Sequence, residues 1–452
     1  MKKVFLFFGV ALLTLVSCGK SEKDNTPKGP VQNATIEVNM TVDGKSSASI
    51  RMKTEDASAT IKAVLDDESV EDATVYVEVD EDWLETQSLE LLPEDFYSMD
   101  SDYFDFPAGE TSASIDIEFY VEDMPLGKSY VLPLIMAPES LFLEEGSHNR
   151  VVFTVTHAPN KDIEMICFYE VNDVNPLNAG EVLLEDGTPF FDYVVLFAYN
   201  INYNSSEDRV YLHSNPNCKA LLDESEIYLQ PLRQKGIKVL MGLLGNHDAA
   251  GLCQLSDWGA KEWAKEVAAA VKQYGMDGVS LDDEYSGSPG SGKWFASRSS
   301  AAGSRLCYEL KQAMIDAKCD NSIVSVFQYG SLSSVQSVDG HDPSEFVDQM
   351  VANYGGRGSK QGNMTNKWCS GGSYECNWGS YPSGADAKSA QDAGYGFLMY
   401  FNPDPAKYRN YYGDNGHFSK AAQGVYGQKC KPMTQWWKKT GEGKYDPNPY
   451  KW

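Results

Sequence analysis

The run Asp277-Gly278-Val279-Ser280-Leu281-Asp282-Asp283-Glu284-Tyr285 carries the residue types best suited to chemistry. Along an extended strand, successive side chains alternate between faces, so Ser280, Asp282 and Glu284 point to one side. Two carboxyls crowded on that side cannot both ionise cheaply, which raises the pKa of one and supplies an acid that still holds its proton near neutral pH. Acidic runs are commonly solvated loops. Here the carboxyls directly follow the buried-looking segment Gly278 to Leu281, which a solvated loop does not need. Asp277 belongs to the same run and is a candidate for the substrate site. It has the opposite strand parity from Glu284, however, which fits a structural role in bonding backbone amides.

A strand that presents two carboxyls at its C-terminal end needs a scaffold that gathers such ends together. After Pro159 the chain shows buried apolar runs at 164–169, 193–199, 237–244, 278–281, 323–329, 346–354 and 396–401. Between them lie amphipathic helical stretches, clearest from Asp257 to Tyr274 with Trp258, Trp263, Val267, Ala270 and Val271 at helical spacing. Strict alternation over residues 159–452, with no Gly-x-Gly-x-x-Gly after the first strand, predicts a (β/α)8 TIM-type barrel rather than a doubly wound sheet. In such barrels the chemistry sits at the C-terminal ends of the strands. Asn246 and His247, in the loop after the third strand, belong to that end. A metal there is disfavoured, because His247-Asp248 has no second histidine at i+4. No cofactor is expected.

The chain has 452 residues and a formal net charge of −27, from 38 Lys plus Arg against 65 Asp plus Glu. That charge excludes nucleic acid as a partner, since such binding rests on basic residues. Most of the charge falls between residues 19 and 160, which separates an acidic module at 33–158 from the barrel. The acidic module has short period-two runs, including Ile115-Asp116-Ile117-Glu118-Phe119 with its acids outward, and predicts an antiparallel β-sandwich. Its Asp66-Asp67-Glu68 lacks the spaced ligands of a calcium loop and reads as a solvated face. Ahead of it, Lys2 and Lys3 precede an apolar run from Val4 to Val16, too short to span a bilayer, so residues 1–17 read as a signal peptide. Residues 18–32 are polar and Pro/Gly-bearing, the composition of a tether. Once Cys18 is set aside, eight cysteines remain, all in the barrel module. Their spacing does not fix a pairing; Cys369 and Cys376 are the first pair expected, and the absence of C-x-x-C disfavours zinc.

Three resemblances follow from these residues. Leu15-Val16-Ser17-Cys18 resembles a bacterial lipobox, which implies a lipidated Cys18 and an exported, outer-membrane lipoprotein held through the lipid alone, at the cell surface with the periplasmic face as the alternative. The segments Leu89 to Tyr97, Phe106 to Ala113 and Tyr130 to Leu134 resemble the β-sandwich accessory domain of Bacteroides-type surface glycan-processing lipoproteins, where it is a spacer or glycan-contact module. The 277–284 run resembles the family 18 glycoside hydrolase signature Asp-Gly-x-Asp-x-Asp-x-Glu. Its Asp-Asp-Glu-Tyr ending, with Leu243-Leu244-Gly245-Asn246-His247 upstream and Gly394 to Asn402 downstream, is similar to endo-β-N-acetylglucosaminidases of the endoglycosidase F and H type.

That last resemblance implies cleavage between the two core N-acetylglucosamines of N-linked glycans. Glu284 would act first as acid and then as base, while the substrate's own 2-acetamido oxygen replaces an enzyme nucleophile. Asp282 would orient the acetamide and stabilise the developing positive charge. Tyr354 is the candidate for the tyrosine that hydrogen-bonds the acetamido group. Tyr285, Phe401, Asn402 and the Asn246-His247 loop would line the sugar site, with Trp258, Trp368, Trp378 and Phe401 as stacking candidates. The long stretches 286–293 and 355–380 would select glycan branches, the second gripping mannose through Trp368, Tyr374 and Trp378. Ser280 stands where the family has its second aspartate, which removes a like charge from beside Asp282. That departure leaves a glycan-binding protein without turnover as an alternative, and a chitinase shares the same carboxylates.

Overall fold

The computed structural model describes residues 35–452, apart from residues 37, 43, 66–71, 86, 88, 126–127, 137–141, 144–148, 158–160 and 320–321. The signal peptide, Cys18, the tether and Asp66-Asp67-Glu68 lie outside the described residues.

The N-terminal region folds as two facing sheets. One runs in the spatial order Ser47–Met52, Arg150–His157, Ser129–Met136, Ala73–Val79, Tyr103–Phe106; the other runs Val38–Val42, Ala57–Leu65, Ser112–Phe119, Tyr97–Met99. The alternation seen in the sequence is realised: Ile115, Ile117 and Phe119 are fully buried while Asp116 and Glu118 face solvent. The sandwich is not wholly antiparallel, because Ser47–Met52 pairs in parallel with Arg150–His157. Its core includes Met40, Ile61, Phe104, Ile117, Leu132 and Phe153.

The remainder forms a barrel of eight parallel strands: β1 Glu164–Glu170, β2 Tyr193–Asn204, β3 Lys238–Leu244, β4 Gly278–Asp282, β5 Ile323–Gln328, β6 Gln349–Ala352, β7 Ser370–Glu375 and β8 Phe397–Phe401. They neighbour one another in the order β6-β5-β4-β3-β2-β1-β8-β7, and a parallel bridge between Met350 and Cys369 brings β6 to β7. Each strand is buried on both faces. Odd-numbered residues of β1, such as Met165 and Cys167, join the core under the helices, while Ile166 and Phe168 join Val195, Leu240, Phe327 and Met399 inside the barrel.

Three sequence expectations need correction here. Strand and helix do not alternate strictly, because the β1–β2, β5–β6 and β6–β7 connections carry short 3-10 turns in place of α-helices among the described residues. Seven strands were legible; the eighth, β7, lies inside the stretch 355–380 that reads as a loop. This also overturns the Cys369–Cys376 pair. The two cysteines flank β7, about 20 Å apart at the rise of a strand, far beyond disulfide reach. All eight cysteines of the barrel are buried, and Cys369 and Cys376 are not bonded to each other.

Candidate active site

Gly278 opens β4 at φ +138°, and a Cβ there would meet the Ile323 carbonyl oxygen at 2.1 Å, so glycine lets β4 lie tight against β5. Val279 and Leu281 then turn outward into the core beneath the helices, and Ser280 and Asp282 turn into the barrel. The strand ends at Asp282, which aims its carboxyl at the mouth while remaining 6% exposed. A tight turn follows, in which Glu284 N–H donates to Asp282 O (3.0 Å) and Gly245 N–H to Glu284 O (3.2 Å). Glu284 is half-buried at the rim. Asp283 points the other way, and its Oδ2 accepts from Ser331 N–H at 2.9 Å.

Burial pushes the Asp282 carboxyl well above the usual carboxylate range, and the charges of Glu284 and then Asp283 add to it. Glu284 is raised by burial and then by Asp283. The pair therefore keeps a proton above the pH at which free carboxylic acids lose theirs, as the spacing of the two residues predicts.

Tyr354, just past β6, stands with its ring 5.6 Å from Phe327, 6.0 Å from Phe401 and 5.4 Å from Trp378. Its hydroxyl is held protonated by burial and then by the nearby charges of Glu375, Asp282 and Glu284. Phe401 ends β8 and packs edge-on to Phe197 at 5.5 Å. Asn402 follows in a left-handed conformation (φ +51°), donating its N–H to Phe168 O (2.7 Å) and its Nδ2 to Asn377 (3.3 Å). His247 and Tyr285 are likewise left-handed, at φ +57° and +55°, with their rings 5.3 Å apart. Three non-glycine residues in this costly conformation, all just past barrel strands, mark a site whose surroundings hold it against local preference. Asn246 donates to Asn202 Oδ1 at 3.0 Å, and Asp248 secures its loop by accepting from Tyr203 N–H and Ala250 N–H. Beside His247 and Tyr285, over the ends of β1 to β3, lies a cleft of about 340 Å³ whose lining also includes Glu170, Asn200, His213 and Asn246.

The structure thus gathers Asp282, Glu284, Tyr285, Tyr354, Phe401, Asn402, Asn246, His247 and Trp378 at the C-terminal end of the barrel. Three expectations about site residues are corrected. Asp277 precedes β4 and sits at the opposite end, paired with Arg233 and Lys45, and its Oδ2 accepts from Val239 N–H at 2.9 Å. Burial opposes its ionisation, but Arg233, Lys45 and that backbone bond hold it far below the ordinary range. Trp368 precedes β7, also at the far end, and packs half-buried against the outer core. Ser280 lies a layer beneath Asp282 at 2% exposure, out of reach of the mouth. The stretch 355–380 is accordingly no single arm: Tyr374 packs outward against Tyr400 (5.6 Å), and of its three aromatics Trp378 alone, 75% exposed, reaches the mouth. Trp258 rests against Trp294 at the head of the Asp257–Gln273 helix, rings 4.7 Å apart.

Sequence reasoning missed Glu375 and Glu170. Glu375 ends β7, 5% exposed, within hydrogen-bonding reach of the Tyr354 hydroxyl and raised by burial against the bonds from Asn377 and Tyr354. Glu170 ends β1, and Asn172 donates to it at 2.6 Å. Its place after the first apolar run was a readable signal; that of Glu375 was masked by the glycines of β7.

Comparison with known proteins agrees with this geometry. The chain is 40% identical over 259 residues to endo-β-N-acetylglucosaminidase F1 of Elizabethkingia meningoseptica, an alignment covering 56% of this chain and 74% of that one. The chain belongs to the endo-β-N-acetylglucosaminidases. A second such enzyme, from Flavobacterium sp. (strain SK1022), is 43% identical over 122 residues, 27% of this chain and 38% of its own. Among solved structures, EndoBT-3987 of Bacteroides thetaiotamicron with Man5GlcNAc product is 36% identical with a TM-score of 0.61, covering 91% of this chain and 99% of its own. The same protein with Man9GlcNAc2Asn substrate gives 35%, 0.62 and the same coverage. A family model of an N-terminal domain matches residues 25–141.

Proposed function

We propose that this endo-β-N-acetylglucosaminidase cleaves the β-1,4 bond between the two core N-acetylglucosamines of N-linked glycans by the substrate-assisted mechanism of family 18 glycoside hydrolases. The observation that carries the reading is the pair Asp282 and Glu284 at the C-terminal end of β4, with Glu284 at the rim and Asp282 deeper. Glu284 gives its proton to the glycosidic oxygen as the C1–O bond breaks, and the 2-acetamido oxygen attacks C1 to form an oxazolinium ion. Asp282 faces the acetamide nitrogen and stabilises the charge that develops there. Glu284, now ionised, takes a proton from the water that opens the ring, and the configuration at C1 is retained. Tyr354 and the aromatic wall of Phe401 and Trp378 support the sugar. The relative with Man9GlcNAc2Asn bound supports an N-glycan as substrate.

The test is mass spectrometry of a high-mannose and a complex-type glycoprotein after incubation with the protein and with Glu284→Gln. One residual N-acetylglucosamine per site, absent with the variant, is the expected result; binding of both glycans without cleavage of either would replace the enzyme by a binding protein.

The chain is further proposed to be exported and carried on the outer membrane by a lipid on Cys18, with the catalytic module held off the surface by residues 19–32. The run of Lys2-Lys3, apolar core and Leu15-Val16-Ser17-Cys18 supports this. Metabolic labelling with a fatty acid is expected to mark the wild-type chain and not Cys18→Ala, which should leave the membrane fraction.

A further inference from the structure

Beneath Asp282, adjacent strands set small or polar side chains into a barrel interior that is otherwise apolar. Gly242 on β3 is in register with Ser280 on β4, Ser280 with Ser325 on β5, and Ser325 with Gln349 on β6. Leu240, Ile323, Phe327 and Val351, on the same inward faces, are the usual branched and aromatic filling. On the β3 side no side chain fits, because a Cβ at Gly242 would meet the Leu196 carbonyl oxygen at 2.8 Å. Ser280, Ser325, Gln349 and Asp282 are 2%, 0%, 5% and 6% exposed. Within this group Ser280 Oγ, Ser325 Oγ, Gln349 Oε1 and Asp282 Oδ1 have no hydrogen-bonding partner among the protein's own atoms.

Buried polar atoms are almost always bonded to protein or to ordered water. Four unbonded atoms on three neighbouring strands therefore point to a shared ligand, and their chemistry identifies it. The two hydroxyls can each donate one hydrogen bond; the carboxylate and amide oxygens accept. A water accepting from both hydroxyls and donating to both oxygens satisfies all four, within the two to four bonds a buried water makes.

We infer that Ser280, Ser325 and Gln349 hold a structural water that hydrogen-bonds Asp282 Oδ1 from inside the barrel and fixes the orientation in which this carboxyl meets the substrate. The consequence for turnover rests on the role proposed above for Asp282; the presence of the water does not. Ser280, Ser325 and Gln349 are positioning residues, and the family's second aspartate is replaced by a hydroxyl and a water acting together.

The test combines crystal structures of the full chain, wild type and Ser280→Ala, with steady-state kinetics on a glycopeptide for both, for Ser280→Thr and for Ser325→Ala. Expected are wild-type density for a water ~2.7–3.2 Å from Ser280 Oγ and Asp282 Oδ1, and its loss in Ser280→Ala. A kcat reduced roughly tenfold at nearly constant KM should accompany that loss, with most of kcat returned by threonine. Should Ser280→Ala fail to fold, Ser325→Ala removes the other hydroxyl and gives the same comparison. A wild-type interior without density at that point, or a Ser280→Ala variant that turns over like a cleaving wild type, overturns the inference. A wild type that cleaves no glycan defeats the glycosidase reading alone, and the density still decides the water.

Discussion

At the scale of single residues, the site is a problem of keeping protons where burial favours them. With Glu284 at the rim as the proposed general acid, Glu284→Gln is expected to lower kcat by about 10²- to 10⁴-fold with KM little changed, measured on a glycopeptide. Asp282 makes a prediction about stability. Its folded pKa is raised, by burial and then by Glu284 and Asp283, so the native state binds its proton more tightly than the unfolded chain. Its contribution is full below the unfolded Asp value of about 3.9 and is lost as pH rises through the folded value. Asp282→Asn removes this loss, so its melting temperature should gain on wild type as pH increases above about 4; a gain that shrinks over the same range would show that Asp282 is held ionised. Asp282 was legible from alternation along a five-residue strand, and Glu284 from its place directly past the end of that strand. The parity of Asp277 was legible too, but its partner Lys45 lies 232 positions away, and no local pattern reports such a contact.

At the scale of elements, position along the barrel axis decides what a residue can do. Trp368 and Trp378 both fall in what reads as one loop, yet β7 runs between them, placing Trp378 at the mouth and Trp368 at the far end. Trp378→Ala should raise KM roughly five- to tenfold, the loss of about 1 kcal/mol of aromatic contact, with kcat close to wild type. Trp368→Ala should leave both constants alone and lower the melting temperature, since its ring packs on the outer core; kinetics and thermal melts of the two variants side by side check this. Seven barrel strands announced themselves because burial on both faces demands continuous apolar runs. β7 did not, because Ser370-Gly371-Gly372-Ser373 is built for close approach: a Cβ at Gly371 would meet Ala390 Cβ, on the Gly384–Asp392 helix, at 2.4 Å. Glycine there serves packing, and the same glycines conceal both the strand and the Glu375 it delivers.

At the scale of the whole molecule, two basic residues of the acidic sandwich, Lys45 and Arg51, pair with carboxylates of the barrel. Lys45 Nζ meets Asp277 Oδ1 at 3.2 Å, Arg51 Nη2 meets Asp192 Oδ1 at 3.5 Å, and Arg51 Nη1 donates to Gly236 O at 3.0 Å. Across the same seam Arg233 of the barrel donates to Ser47 Oγ at 2.8 Å. Each carboxylate in these pairs also ties two barrel strands at their N-terminal ends: Asp277, ahead of β4, accepts from Val239 N–H, and Asp192, ahead of β2, accepts from Met165 N–H. The sandwich therefore braces the base of the strand that carries Asp282, which a detachable spacer would not do. Removing Lys45 leaves Asp277 largely buried with Arg233 as its remaining cation, so Lys45→Ala should cost about 1–3 kcal/mol, less than the loss of a sole partner. Because Asp277 is held ionised far below the ordinary range, that cost should be full above pH ~4 and fade only as the acid becomes strong enough to protonate it. Calorimetry of Lys45→Ala, and of Lys45→Ala combined with Arg51→Ala, is expected to convert a single joint transition into two, with the sandwich and the barrel melting apart. A double variant that still melts in one step at the wild-type temperature would mean that other contacts, and not these ion pairs, couple the sandwich to the strand that carries Asp282.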